Sequence, residues 1–351
     1  MKKIYIHSSC SISIQPSFRD DYFFEDLQEY SENGIEVIAP DYKEFIPPMQ
    51  LRRMGKSMRM AVYAAQKAIQ KAGNPKIDAV ITGTGEGCLR DSEKFVEAMW
   101  DNIGGMLNPT PFIQSTHNMA AATIALALGC KGYNMTYTNN SNSFESALLD
   151  GMLYLNENPN HRILIGGLEE ISEQTLKFWD LAGNVNMENP KIPGDFKSNS
   201  IGETNTEGAG FFVASTEKME NSLGSISAVH TKFEVENPEE FIREFLAENS
   251  VSISEIDAII LGNNGDSHYD SIYENLSGSL FKENPQISFK NVLGEFDTVN
   301  AIAVEIALKV FEYQKIPLSL KMNNLDRNSY RKILIYNQRR GKNHSCILLE
   351  N

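Results

Sequence analysis

A polar turn at residues 139–142, with the sequence Asn-Asn-Ser-Asn, lies where a predicted strand passes into a predicted helix. Residues 133–138 have the pattern of the strand, and residues 142–155 have that of the helix. A side chain held in such a strand-to-helix elbow lies at the positive end of the helix dipole, where a nucleophile is activated. The elbow is therefore the place where this chain would carry nucleophilic chemistry.

Two features describe the helix that follows the elbow. Asn142 and Glu145 have the spacing of a capping box, in which two side chains satisfy backbone amides of the first turn. Apolar residues then recur at helical spacing, which predicts a face packed in the core rather than a ligand site. This stripe comprises Phe144, Ala147, Leu148, Met152 and Leu155.

Other candidate groups have ordinary interpretations. Cys88 follows a glycine-rich turn and is a candidate displaced nucleophile, but a small residue packed beside the elbow or a dimer seam is favoured. The turn itself, GTGEG at 83–87, lacks the lysine and the glycine spacing of phosphate-binding loops. His117, in the segment STHN, is predicted to start a packed helix at a subunit interface.

Composition and charge exclude several classes of function. The net charge of −14 argues against unaided binding to nucleic acid or to an anionic membrane surface. No segment approaches a membrane span, and isoleucines at 4, 6, 12 and 14 predict opening strands rather than a signal peptide. The four cysteines form no CxxC pair and no metal-ligand cluster. We therefore expect a cytoplasmic protein without a metal or cofactor.

The chain contains an internal repeat. Residues 77–85 (IDAVITGTG) correspond to residues 256–265 (IDAIILGNNG), and each segment follows a predicted helix. Further along, residues 161–166 (HRILIG) correspond to residues 331–336 (RKILIY) at a similar separation. Two matches in the same order favour duplication over a chance likeness between buried strands.

Short apolar segments bounded by glycine alternate with helices in both repeats, which predicts buried and largely parallel strands. The sequence therefore predicts an α/β protein made of two duplicated halves, residues 1–220 and residues 221–351. No glycine-, serine- or proline-rich linker separates the halves, so we expect one compact body. Residues 183–207 are polar and without periodicity, which predicts a long surface loop.

The sequence resembles the β-ketoacyl synthases over nearly its whole length. The resemblance lies in GTGEGCLRDSEKF at 83–95, PTPFIQSTHN at 109–118, the elbow with its SALLDG helix, ILIGGLEE at 163–170, and TEGAGFFVAS at 206–215. Its specific features are those of ketosynthase-related proteins from bacterial aryl-polyene and flexirubin-type pigment pathways. The resemblance implies a thiolase-like fold with α/β/α/β/α layers.

Ketosynthases take the acyl chain on an elbow cysteine, and two histidines from the second half support decarboxylation and stabilise the enolate. The resemblance places Ser141 in the cysteine position. It places Asn264, in GNNGD at 262–266, and Glu295, in KNVLGE at 290–295, in the two histidine positions. Arg339 stands where a gating phenylalanine is expected. The resemblance therefore implies a ketosynthase scaffold without its catalytic residues.

The substituted residues do not suit condensation. A serine hydroxyl needs an adjacent base, and Asn264 cannot serve as one. A Glu295 carboxylate about 4 Å from a developing enolate repels it by about 4 kcal/mol at an effective dielectric constant of 20, or roughly a thousandfold in rate. His268, four residues after Asn264, reaches the site only in a shifted alignment and is predicted to lie in a surface loop.

Among ketosynthase relatives, chain length factors lack the cysteine and pair with an active ketosynthase, whose acyl pocket they shape. We therefore predict such a non-catalytic subunit, acting as a heterodimer in polyketide, aryl-polyene or fatty-acid-type synthesis on chains bound to acyl carrier protein. Its partner surface is predicted at helix 117–129 and strand 133–138, and a homodimer could form there in isolation. The predicted pocket and gating residues are Phe144, Phe212 and Arg339, and the predicted carrier-docking residues are Arg52, Arg53 and Lys56.

Two enzymatic alternatives remain open. One is a serine acyltransferase or thioesterase that acts through Ser141, although the elbow is not a GxSxG turn and no histidine is evidently beside it. The other is a malonyl decarboxylase, which in cysteine-less ketosynthases usually keeps the histidines. Covalent acylation of Ser141 would distinguish the first alternative from a non-catalytic subunit.

Overall fold

Ten strands form one mixed sheet in the described part of the chain. The structure is a computed structural model, and it describes residues 2–185, 192–194 and 200–351. The strands are β1 (Ile4–Ile12), β2 (Ala79–Gly83), β3 (Tyr133–Tyr137), β4 (Arg162–Glu169), β5 (Gly208–Ser215), β6 (Gly224–Phe233), β7 (Ala258–Leu261), β8 (Gln286–Ser288), β9 (Lys332–Asn337) and β10 (Asn343–Glu350).

The strand order repeats in the two halves of the sheet. From edge to edge it is β3-β2-β4-β5-β1-β6-β10-β9-β7-β8. Read outward from the centre, the halves run 1-5-4-2-3 and 6-10-9-7-8, so corresponding strands occupy corresponding places. The repeated sequence segments correspond to these equivalent strands: one repeat forms β2 and β7, and the other forms β4 and β9. The division into two domains at residue 220 stays a prediction. Strands β1 and β6 pair directly and so join both halves in one sheet.

Helices alternate with the strands, as the sequence predicts. The α-helices of the described residues are α1 (Pro48–Leu51), α2 (Lys56–Lys71), α3 (Leu89–Asp101), α4 (Pro109–Gln114), α5 (Met119–Leu128), α6 (Ser143–Glu157), α7 (Glu173–Leu181), α8 (Pro238–Glu248), α9 (Asp270–Gly278), α10 (Lys290–Leu293) and α11 (Asn300–Tyr313). Short 3-10 turns occur at Tyr42–Glu44, Ile253–Glu255 and Leu318–Leu320. No helix within these described ranges has the length and apolar character needed to cross a membrane.

Helices α6 and α11 form a central layer between the two halves of the sheet. Alternate side chains of β2 show this arrangement: Ala79 and Ile81 pack in the core shared with both helices, whereas Val80 faces α2 and α5. In the second half, Ala258 and Ile260 of β7 face the same central core, and their neighbours in the strand face α8. The result is the predicted α/β/α/β/α order of layers.

Strand β1 differs from the predicted pair of opening strands. It is one continuous strand at the centre of the sheet, paired with β5 along its length and with β6 at its start. The register with β5 shifts between Ile6 and Ser8, so His7 forms a β-bulge. Ser8 and Ser9 pair with β5 beyond the bulge, so the polar residues do not end the strand.

The capping box predicted for Asn142 and Glu145 does not form. Asn142 is the N-cap residue of α6, but its side chain makes no capping hydrogen bond. Glu145 is buried instead, and its Oε1 accepts hydrogen bonds from Asn300 Nδ2 and, at 2.8 Å, from Ser345 Oγ. Burial raises the pKa of this carboxyl group, although both hydrogen bonds oppose the shift. The first turn of α6 thus contacts the second half of the chain, which draws Glu145 away from the helix end.

The predicted surface loop at 183–207 lies partly outside the described residues, at 186–191 and 195–199. Its described part at 192–194 is anchored to the body of the protein. Ile192 is buried with Ile14 and Ile35, and Gly194 N–H donates to Asn291 O at 2.8 Å. This part therefore packs against the fold rather than extending from it.

Candidate functional site

The elbow between β3 and α6 holds Ser141 in a buried position. Asn140 has a positive φ of 46°, and Ser143 Oγ fixes the turn by donating to Asn140 O at 2.6 Å and accepting from Asn139 N–H at 2.8 Å. Ser141 Oγ is buried and has no hydrogen-bond partner among the residues described. Because a hydroxyl without an adjacent base stays protonated, the geometry provides no activation of Ser141 as a nucleophile.

The two residues predicted in the histidine positions contact each other. Asn264 follows β7, Glu295 follows α10, and Asn264 Nδ2 donates to Glu295 Oε2 at 2.8 Å. Lys290 Nζ lies 2.7 Å from the same oxygen and 2.8 Å from Asn337 Oδ1. Lys290 and Glu295 are both almost fully buried. The two histidine positions therefore hold an amide and a carboxylate that is paired with Lys290, instead of a pair of proton donors.

Arg339 is paired with two carboxylates, and its role as a gate stays a prediction. Its Nη2 lies 2.5 Å from Glu203 Oε1, and its Nη1 contacts Asp297. Arg340 Nη2 lies 2.7 Å from the same Glu203 oxygen, and its guanidinium carbon is 4.3 Å from the centre of the Trp179 ring. Burial by itself would raise the pKa of Glu203, but the charges of the two arginines outweigh it and lower that pKa. The predicted gating position is therefore a fixed cluster of ion pairs.

Asn264 joins this cluster to the Lys290–Glu295 pair. Its Nδ2 lies 3.4 Å from Glu203 Oε2, in addition to its contact with Glu295. We refer to the combined set as the charged network. It consists of Glu203, Asn264, Lys290, Glu295, Asp297, Arg339 and Arg340. The network occupies the places in which the resemblance puts the second-half catalytic residues and the gate.

The side chain of Glu169, the last residue of β4, reaches into the glycine-rich turn that follows β2. Its carboxylate accepts from Gly85 N–H at 2.5 Å and from both Glu86 N–H and Thr84 Oγ1 at 3.2 Å. Burial, and next the charge of Asp297, raise the pKa of Glu169 well above its usual value. A Cβ at Gly85 would lie 1.9 Å from Asp297 Oδ2, so a larger residue there would displace the Asp297 side chain. The amides of this turn therefore serve an internal carboxylate.

A narrow cleft remains between the charged network and α7. Its lining includes Glu86, Glu169, Trp179, Phe296, Asp297 and Arg339. The free space in the cleft is about 30 Å³. This volume is about a tenth of the roughly 300 Å³ at which small-molecule pockets begin, so the cleft has room for a few waters only. An acyl chain does not fit there without movement of the charged side chains.

The predicted pocket residues Phe144 and Phe212 lie in the central core. Their ring centroids are 6.0 Å apart with planes tilted by 40°, and both side chains are almost fully buried. A Cβ at Gly167 would meet the Phe144 ring at 3.2 Å, which shows how closely the sheet packs there. Neither phenylalanine lines the narrow cleft. Their role in an acyl pocket stays a prediction.

The predicted carrier-docking residues differ in exposure. Arg52 and Arg53 follow α1, and both are exposed. Lys56, at the start of α2, is partly buried, and its Nζ pairs with Glu36 at 3.0 Å and with the buried carboxylate of Glu207. Glu36 and Glu207 therefore neutralise the charge of Lys56 within the chain. Docking by the two arginines stays a prediction.

The remaining candidate side chains lie away from the charged network. Cys88 is buried with its Sγ 3.4 Å from Ser57 Oγ, and burial raises the pKa of its thiol to about 12. A thiol with that pKa is protonated at neutral pH and is a poor nucleophile. His268 is largely exposed in the loop before α9. His117 is exposed in the single chain and lies against Gly87, and its place at a subunit interface stays a prediction.

Sequence reasoning does not find four members of the charged network, namely Lys290, Glu203, Asp297 and Arg340. Lys290 belongs to the motif that contains Glu295, so a lysine beside a carboxylate in a buried segment was an available signal. Glu203 lies in the polar segment 183–207, whose composition indicates only a loop. Nothing in that segment points to contact with an arginine 136 residues later.

Comparison with known proteins identifies the fold. Residues 28–180 match the family model of the β-ketoacyl synthase N-terminal domain. A sequence search among curated proteins finds no significant match. The ishigamide ketosynthase/chain length factor superposes with a TM-score of 0.81 at 17% identity, covering 100% of this chain and 99% of that chain.

Two further solved structures cover the whole chain. A β-ketoacyl synthase from Burkholderia phymatum has a TM-score of 0.81 at 14% identity and is matched over 100% of both chains. A structure of a ketosynthase in complex with its chain length factor, from Xenorhabdus doucetiae, has a TM-score of 0.77 at 17% identity, covering 99% of this chain and 98% of that chain. The chain therefore has the predicted thiolase-like ketosynthase fold, and its resemblance to ketosynthases and chain length factors is confirmed at the level of the fold.

Proposed function

Given the ketosynthase fold of the whole chain, we propose that this protein is a non-catalytic, chain-length-factor-like subunit that pairs with an active β-ketoacyl synthase. The observation that carries the proposal is the charged network in the catalytic positions. Condensation needs an activated nucleophile and available proton donors. Ser141 has no base beside it in the described chain, and Asn264 and Glu295 bind each other. A subunit that shapes the pocket of a partner needs neither.

The free space beside the charged network supports the same proposal. A ketosynthase has to admit an acyl chain to its own catalytic residues, whereas the narrow cleft here holds about 30 Å³. Opening the cleft would separate Arg339 from Glu203 and Asp297, and would leave these charges exposed or without partners. The growing chain is therefore proposed to lie at the interface with the partner or in the partner's pocket.

The partner surface is proposed at β3 and α5. Strand β3 ends the sheet, and an edge strand is a template for pairing with another chain. Met135 on β3 and Leu126 on α5 are exposed. Further exposed apolar side chains lie on α3 and α4, namely Val96, Met99, Trp100, Phe112 and Ile113. A large exposed apolar surface of this kind is typical of a protein–protein interface.

Acyl carrier protein is the proposed second partner, with Arg52 and Arg53 as its docking residues. The two arginines provide exposed positive charge on a chain with a net charge of −14. An acidic carrier protein would be attracted to this local patch although the chain as a whole repels it. Carrier-bound intermediates of polyketide, aryl-polyene or fatty-acid-type synthesis are the proposed substrates of the complex.

Co-purification with ketosynthases encoded nearby tests the pairing. We expect a stable heterodimer with one of them, and we expect Leu126→Glu to abolish it, because a buried charge at an apolar interface is unfavourable. Leu318→Glu is the matched control, since Leu126 and Leu318 are 83% and 85% exposed and Leu318 lies on a 3-10 turn of the second half. Loss of the complex in both variants, or in neither, would contradict this interface.

Intact-mass spectrometry tests the absence of catalysis. The purified protein is incubated with acyl- and malonyl-loaded acyl carrier protein, with Ser141→Ala as the control. We expect no acyl adduct and no release of carbon dioxide. An adduct on the wild-type protein that disappears in Ser141→Ala would instead establish a serine enzyme and overturn the proposal.

A further inference from the structure

A second polar cavity lies further along α11, away from the charged network. It is open to solvent on one side and provides about 300 Å³ between β1, α2 and α11, at the lower end of the range of about 300–1,000 Å³ for small-molecule pockets. Its lining includes His7, Ser9, Asp20, Lys71, Glu305 and Lys309. Helix α11 begins beside the network at Asn300, and Lys309 lies about 13 Å further along the axis. We refer to this site as the α11 cavity.

Two buried charges that line the α11 cavity have no ion-pair partner among the described residues. Glu305 Oε1 accepts from Ser9 Oγ at 3.2 Å, whereas its buried Oε2 has no hydrogen-bond partner in the described chain. Lys309 Nζ donates to the Tyr22 carbonyl oxygen at 2.6 Å and forms no salt bridge in that part of the structure. The two residues are only 2% and 8% exposed.

The separation of these charges is unusual. A glutamate four residues before a lysine on one helix normally forms an ion pair across the turn. Here Glu305 turns toward β1 and Lys309 turns toward the chain after β1, and the two side chains form no salt bridge with each other. Buried charges without a partner are unfavourable, and a bound molecule that satisfied both would stabilise the site.

The strand that forms one wall of the cavity is adapted locally. The bulge in β1 falls at His7, whose ring nitrogens lie 2.7 Å from Ser215 Oγ and 3.2 Å from Ser222 Oγ. Bulges re-aim side chains and are common beside functional sites. This feature is independent of the unpaired charges on α11, and it lies at the same cavity.

We propose that the α11 cavity binds a small zwitterion of the α-amino acid class. The carboxylate of the ligand pairs with Lys309, and its ammonium group pairs with the Glu305 carboxylate. Lys71, which pairs with Asp20 at 2.7 Å, also lines the cavity. A ligand with a single charge would satisfy one of the two buried groups and leave the other without a partner. This site does not depend on the proposed pairing with a ketosynthase.

Isothermal titration calorimetry of the full chain with each common α-amino acid tests the proposal. Acetate and methylammonium serve as probes with one charge each. We expect at least one amino acid to bind with one-to-one stoichiometry and neither single-charge probe to match it. Glu305→Gln and Lys309→Met are each expected to weaken binding by at least about tenfold, because each removes a charged hydrogen bond.

Two control variants separate the site from general effects on the protein. Lys315→Met removes an exposed lysine just after the same helix, and Ser141→Ala changes the elbow; both are expected to bind as the wild-type chain does. The proposal is overturned if no amino acid binds the wild-type chain, or if acetate or methylammonium binds as tightly. It is also overturned if the Glu305 and Lys309 variants bind like the controls.

Discussion

The charged network and the α11 cavity each contain a buried lysine and a buried glutamate, but the charges are arranged differently. In the network, Lys290 lies 2.7 Å from Glu295, and Asn264 and Asn337 add hydrogen bonds, although Glu295 Oε1 is buried without a hydrogen-bond partner among the described residues. In the cavity, Glu305 and Lys309 turn to different neighbours. The difference indicates that the lysine and the glutamate of the network neutralise each other within the chain, whereas those of the cavity form no such pair in the described residues.

The largest expected effect breaks the completed pair in the network. Glu295→Ala leaves the Lys290 ammonium group buried without a counter-charge, and we expect it to lower the free energy of unfolding by about 3–5 kcal/mol. Urea unfolding at neutral pH measures this change. Glu173→Ala, which removes one member of the exposed Glu173–Lys177 pair, is the control and should change stability far less, because solvent screens an exposed ion pair.

The double variant Lys290→Met with Glu295→Leu sharpens the same comparison. It removes both charges at once, so we expect it to recover most of the stability that Glu295→Ala loses. If Glu295→Ala were as mild as Glu173→Ala, the network would not be a structural unit. Its contrast with the α11 cavity would then fail.

Glu170, which lines the narrow cleft, is expected to make the free energy of unfolding change by roughly 3 kcal/mol with pH. Burial raises the pKa of Glu170 to about 7, although the N–H groups of Arg90 and Ser57 that donate to it oppose the shift. An acid whose pKa is higher in the folded than in the unfolded chain binds its proton better when folded. Its contribution is therefore present below about pH 4.5 and is lost as the pH rises to about 7.

Urea midpoints measured between pH 4.5 and 7.5 test this effect. Glu170→Gln should flatten the pH dependence over this range, because the amide does not titrate. Glu157→Gln, which changes an exposed glutamate at the end of α6, should leave the profile as it is in the wild type. Equal slopes in Glu170→Gln and the wild type would show that other groups carry the pH dependence.

The sequence predicts the local elements and the repeat well, for a physical reason. The apolar segments that form β2 and β7 are bounded by glycine, and their pattern is set by neighbours in the chain. Motifs also place Asn264 and Glu295 in the correct part of the fold. They do not reveal the contact of Glu203 with Arg339 or of Glu145 with Asn300, because these join residues 136 and 155 positions apart. Pairings of that kind depend on the packing of the whole fold.

Two serines in the elbow are expected to differ, by a smaller amount, in what they contribute to stability. Ser143 Oγ bonds to two backbone groups of the turn, so Ser143→Ala is expected to lower the free energy of unfolding by about 1–2 kcal/mol. Ser141→Ala removes a buried hydroxyl that has no partner in the described chain, and the change should be within about 0.5 kcal/mol or stabilising. Chemical denaturation of both variants measures the difference. A comparable loss in Ser141→Ala would indicate a proton acceptor beside Ser141 and would weaken the non-catalytic proposal.

The smallest expected effect belongs to Lys309 in the α11 cavity. Without a ligand, Lys309→Met removes one hydrogen bond to the Tyr22 carbonyl oxygen but also removes the cost of burying an ammonium group without a counter-charge. These changes oppose each other, so we expect the free energy of unfolding to change by less than about 1 kcal/mol. Lys290→Met, measured in parallel, should cost several times more, because it leaves Glu295 without its counter-charge. If the two variants lost equal stability, Lys309 would already have an ion-pair partner within the chain, and the α11 cavity would have no unsatisfied charge for a zwitterion to complete.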